Sequence, residues 1–123
     1  MRAQKVGKRA AKSGLDFASV EEAVSCLQAE IEEFLAAKKK GNQQEIEKEL
    51  GDVLFSAVNV GRMAGVDCEK ALKESTDVFA RRFTVAEQLA SADCEDVTKL
   101  SAKEWDGYYR AAKAAVAKED KNV

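Results

Sequence analysis

Residues 28–52 read QAEIEEFLAAKKKGNQQEIEKELGD, two amphipathic segments broken by a short KKKGN turn. Each residue of an α-helix advances about 100°, so positions three and four apart share a side. Val20, Val24, Leu27, Ile31, Phe34 and Leu35 recur at that spacing before the turn. Ile46, Leu50, Val53, Leu54, Ala57 and Val58 do so after it. A connection this short makes the two helices antiparallel neighbours. Beside these stripes stand two carboxylate pairs, Glu30 with Glu33 and Glu49 with Asp52. Each pair borders its apolar stripe instead of opposing it, so a hairpin would aim both at a shared cavity.

Outward from this hairpin the same pattern continues. The chain has 123 residues and no proline, strand-type alternation is scarce, and helix starts are marked by capping residues. Ser19 precedes Glu22 by three, Asn42 precedes Glu45, and Ser101 precedes Glu104. Asp67 is placed to cap a further helix after the break at Gly65, while Gly14 and Gly41 sit at expected helix ends. The expectation is an all-α protein: a single domain, an antiparallel bundle of about five helices near 2–13, 19–39, 42–64, 67–90 and 101–118. SADCEDVTKL (91–100) is the one long loop, and residues 1–4 and 114–123 are expected to fray.

Composition removes several functional classes. Net charge is −2, which argues against nucleic-acid binding through a basic surface. No apolar run reaches the ~20 residues of a membrane span. The three cysteines, Cys26, Cys68 and Cys94, are widely spaced, and histidine is absent. That pattern disfavours zinc and a disulfide framework, fits a reducing cytoplasmic compartment, and removes the Glu-x-x-His ligands of di-iron bundles.

Two readings of the carboxylates remain open at this point. Glu and Lys are good helix formers, so EIEKELGD also suits a solvated face laced with i,i+4 pairs. The alternative is convergence, and that needs a cation. Two like charges ~4 Å apart repel by about 4 kcal/mol at an effective dielectric near 20. Hard divalent ions with oxygen ligands offset this, and Mg²⁺ commonly bridges to substrate phosphates.

In order along the chain, KVGKRAAKSGLDF, LQAEIEEF, ELGDVLFSAVNVGRMAG, ALKESTDVFARRF and LSAKEWDGYYRAAK resemble the MazG-type nucleoside triphosphate pyrophosphohydrolases. The likeness runs from about Lys5 to Lys113 and is strongest to the C-terminal domain of two-domain bacterial members. It implies an all-α fold completed by homodimerisation, as a dimer or dimer of dimers, and hydrolysis of nucleoside triphosphates to monophosphate and pyrophosphate. It also implies Mg²⁺, with Mn²⁺ as an alternative, held by Glu30, Glu33, Glu49 and Asp52 as the catalytic and metal-binding set. Asn59, Arg82, Tyr109 and Lys113 fall at nucleotide-binding positions, with Tyr109 stacking on the base and Trp105 packing.

Departures from the family pattern bear on turnover. Ala29 stands where a second glutamate is usual, Val78 where a lysine is common, Leu15 and Ala18 where larger partners occur, and Gly61 where alanine is common. They motivate an alternative: a catalytically weakened module that binds nucleotide and metal in a regulatory or interaction role. Val60, Met63 and Val66, beside Phe55 and Val58, extend apolar surface beyond one stripe and point independently to a second copy as cover.

Overall fold

A computed structural model describes residues 1–121. Among them are five α-helices and no strand: α1 (Arg2–Lys12), α2 (Val20–Lys40), α3 (Gln43–Met63), α4 (Cys68–Asp93) and α5 (Ala102–Lys121). All five expected helices form, with ends shifted by at most three residues. The loop expected at 91–100 is shorter than its composition implied. α4 continues to Asp93, and Val97–Lys99 make a 3₁₀ turn capped by Asp96. Of the tail expected to fray, 114–121 lie within α5, and residues 122 and 123 lie outside the described residues.

The caps form as their chemistry dictates. Glu22 N–H donates to Ser19 Oγ at 3.1 Å, Glu45 N–H to Asn42 Oδ1 at 3.2 Å, and Lys70 N–H to Asp67 Oδ1 at 3.1 Å. Ser101 and Glu104 make the reciprocal box, each backbone N–H donating to the other's side chain at 3.1 Å. Gly41 ends α2 at φ 82°, a left-handed backbone that glycine adopts without Cβ strain.

The chain divides into two compact units, Met1–Ala71 and Leu72 onward. In the first, α2 and α3 pack along one another as a hairpin, and α1 lies on α3. α1 approaches closely because Gly7 has no side chain: a Cβ there would come 2.6 Å from Asn59 Oδ1. Gln4 fastens the other end. Its Nε2 donates to Val66 O and its Oε1 accepts from Cys68 N–H, both at 2.9 Å, which satisfies a donor at the start of α4. Gly61 has a packing reason too, since a Cβ on it would collide with Cys68 Sγ.

In the second unit α5 runs back along α4. Phe83 meets Trp105 with ring centroids 6.0 Å apart, and Phe79 meets Tyr109 at 5.8 Å. Arg81 donates to Glu119 and Asp120, each at 2.9 Å. Buried apolar side chains in both units are small. They are Ala23 and Ala37 in the first, and Ala86, Ala90, Ala112 and Val116 in the second. Larger ones lie open, with Leu35 57%, Leu54 60% and Phe79 56% exposed.

Candidate metal centre

The hairpin brings Glu30 of α2 together with Glu49 and Asp52 of α3. One carboxylate oxygen from each lies within 4.8 Å of the others. Glu49 and Asp52 are three apart on one helix and present their oxygens to the same side. The antiparallel turn at Gly41 brings Glu30 opposite them.

Two observations single this cluster out from a solvated acidic face. Glu30 Oε2 and Glu49 Oε2 are buried and, among the described residues, have no hydrogen-bond partner. A buried carboxylate oxygen without a partner carries an uncompensated desolvation cost, which a cation removes. The second is the proton affinity of Glu30, which is raised above the ordinary 4.5. Burial is the leading cause, followed by the charge of Glu33 and a carboxyl–carboxyl hydrogen bond to it, then the charges of Asp52 and Glu49. The donor set is all oxygen, partly desolvated and anionic, which fits a hard divalent ion of the Mg²⁺ or Mn²⁺ type.

The remaining sequence candidates are distributed as follows. Glu33 is exposed and stands beside Glu30, outside the group of three. Asn59 is buried, and its Oδ1 accepts from Arg62 Nε at 3.3 Å. Arg82 is half-buried on α4, with its Nε lacking a partner among the described residues. Tyr109 lies in a cleft of about 280 Å³ with Phe79, Phe83 and Trp105. Lys113 is exposed on α5, one turn further along. Arg82, Tyr109 and Lys113 belong to the second unit; the carboxylates and Asn59 belong to the first.

Sequence reasoning missed a network next to Asn59. Arg62 grips Asp16 through two hydrogen bonds of 2.6 and 3.1 Å, while its Nε donates to Asn59. The guanidinium holds the Asp16 carboxyl below its ordinary value of 3.8. This fork ties the α1–α2 loop to α3 and borders a cavity of about 500 Å³ walled by Leu15, Phe17 and Phe55. Asp16 and Arg62 are 46 residues apart, so no local spacing announces the pair. Lys48 was also passed over, although its Nζ lies 3.5 Å from both Glu49 Oε1 and Asp52 Oδ2.

Among the described residues the chain is all-helical, with a three-carboxylate cluster on its antiparallel hairpin. Its family follows from comparison: residues 18–86 match the MazG nucleotide pyrophosphohydrolase domain, and the chain belongs to that family. It is 31% identical over 115 residues to the nucleoside triphosphate pyrophosphohydrolase of Escherichia coli K12, covering 92% of this chain and 44% of that protein. It is 33% identical over 111 residues to the nucleoside triphosphate pyrophosphohydrolase/pyrophosphatase MazG of Thermotoga maritima, covering 90% of this chain and 42% of that protein. The uncharacterized protein YabN of Bacillus subtilis matches 58% of the chain at 32% identity. The chain thus spans less than half the length of the two pyrophosphohydrolases it matches.

Proposed function

We propose that this protein is a Mg²⁺-dependent pyrophosphohydrolase that splits nucleoside triphosphates into nucleoside monophosphate and pyrophosphate. The observation that carries this is the pair of orphaned buried oxygens, Glu30 Oε2 and Glu49 Oε2, within a three-carboxylate cluster on the family's domain. Glu30, Glu49 and Asp52 would hold the ion. Bound there, Mg²⁺ supplies positive charge and Lewis acidity toward the phosphate oxygens.

The chain's own residues divide the remaining work. Glu33 is solvent-facing beside Glu30, where its carboxylate orients the attacking water and accepts its proton as the phosphoanhydride bond breaks. Arg82 and Lys113 contribute positive charge toward phosphate oxygens, and the unpartnered Arg82 Nε is free to donate to one. Tyr109 offers a ring face to the base. Asn59 belongs to the nucleotide-binding set by position, with its amide oxygen already held by Arg62.

The functional form in this reading is a homodimer or a dimer of dimers, acting in the cytoplasm on the free nucleotide pool and not on nucleic acid or membranes. Its support is the alanine-sized buried core of the first unit and the exposure there of the large apolar side chains Leu35 and Leu54, which a second copy would cover. No described helix is long and apolar enough to cross a membrane.

Purified protein incubated with a panel of nucleoside and deoxynucleoside triphosphates, with and without Mg²⁺, tests the activity. Pyrophosphate release that requires Mg²⁺ and disappears in Glu49→Ala is expected. One observation favours a second reading: Val78 is an exposed aliphatic residue where the family commonly has lysine. Nucleotide that raises the melting temperature without pyrophosphate release would select the weakened binding module instead.

A further inference from the structure

Lys48 sits between the two α3 carboxylates without belonging to the ligand set. Its ammonium lies 3.5 Å from Glu49 Oε1 and 3.5 Å from Asp52 Oδ2. The contact reaches one oxygen of Glu49 and leaves the other, Oε2, buried and unpartnered. Glu30 Oε2, on the opposite helix, has no partner among the described residues. The repulsion within the cluster is thus met on α3 by a tethered cation.

We propose that Lys48 is a built-in counter-cation of the ion-free centre, one that holds Glu49 and Asp52 in place and gives way when a divalent ion arrives. This rests on the ion-site reading above. Lys48 is 71% exposed on a flexible four-carbon stem, so its ammonium withdraws into water without moving the helix. Exchange exacts a cost: the incoming ion must break the two lysine contacts and then tolerate a positive neighbour. Lys48 thereby sets the ion affinity of the centre below what its carboxylates alone would give.

The test is calorimetric titration of MgCl₂ and, separately, MnCl₂ into the nucleotide-free wild type, Lys48→Gln and Lys48→Arg. Lys48→Gln should bind the ion about three- to tenfold more tightly, the range expected for losing exposed ion pairs and one repelling charge. Lys48→Arg keeps the charge and should bind like wild type. Without divalent ion, Lys48→Gln should melt below wild type, and the difference should shrink in high KCl as the ion pairs are screened. Equal or weaker ion binding by Lys48→Gln overturns the role of Lys48 while leaving the ion site standing. Absence of binding by all three proteins overturns both readings together.

Discussion

The two units bury the same kind of side chain and display opposite chemistry. Met1–Ala71 packs its helices through alanines and glycine, then gathers carboxylates on the α2–α3 hairpin. The unit from Leu72 onward also packs on alanines and Val116, but its helices meet through tilted aromatic rings, and it carries the half-buried Arg82. Small residues let helix axes approach closely, which is how α1, α2 and α3 of the first unit pack. What differs is the polar cargo: a cluster of three carboxylates in one, and an aromatic cleft together with the half-buried Arg82 in the other.

The sharpest way to break this division is to remove one function from each side. Glu49→Ala should lower pyrophosphate release by on the order of 100-fold or more, since it deletes an electrostatic contact to the reacting centre. Circular dichroism of that variant should still show a folded helical protein. Tyr109→Ala should instead raise KM by about tenfold, within the range for one base–aromatic stack, with kcat changed less. If Tyr109→Ala lowers kcat and KM stays fixed, the ring does not hold the base. Trp105→Ala serves as the packing control, expected to lower the melting temperature more than it changes KM.

Packing in the first unit is tested next. Gly7→Ala forces a methyl toward Asn59 Oδ1 and Arg62 Nε, and should cost about 1–3 kcal/mol in urea unfolding, the usual price of overpacking. The two perturbed carboxyls of this unit then give opposite pH responses. Glu30 has a raised proton affinity, so its protonated form favours folding: that stability is full below the ordinary 4.5 and is lost as pH rises through its folded value. Asp16 is depressed, so its contribution is present above the ordinary 3.8 and is lost as pH falls through its folded value. In EDTA the melting temperature should therefore fall from mildly acid to neutral pH, less so in Glu30→Gln, and Mg²⁺ should restore it. The smallest effect is expected at Lys73, whose pairing with Asp77 at 2.9 Å is fully in solvent: Lys73→Ala should leave the melting temperature unchanged.

Much of the architecture was legible before any coordinates. Helical periodicity and capping pairs are local, so Ser19–Glu22, Asn42–Glu45 and Ser101–Glu104 each marked a helix start that the backbone then used. The Glu49–Asp52 pair was equally legible, because three residues on one helix is a fixed angle. The place of Glu33 outside the group that Glu30 forms with that pair was not.

By itself, then, the sequence determined the five helices, their starts, the antiparallel hairpin and the family motifs. Tertiary structure alone decided that Glu33 stands outside the group of Glu30, Glu49 and Asp52, that Arg62 clasps Asp16 across 46 positions, and that Leu35 and Leu54 face outward while Ser56 and Asn59 are buried. The reason is rotational. A 3.6-residue period fixes where side chains point around one helix, but how far that helix turns about its axis against a neighbour is set by where two backbones approach most closely. For α1 on α3 that approach falls at Gly7, a residue whose importance lies in what it lacks.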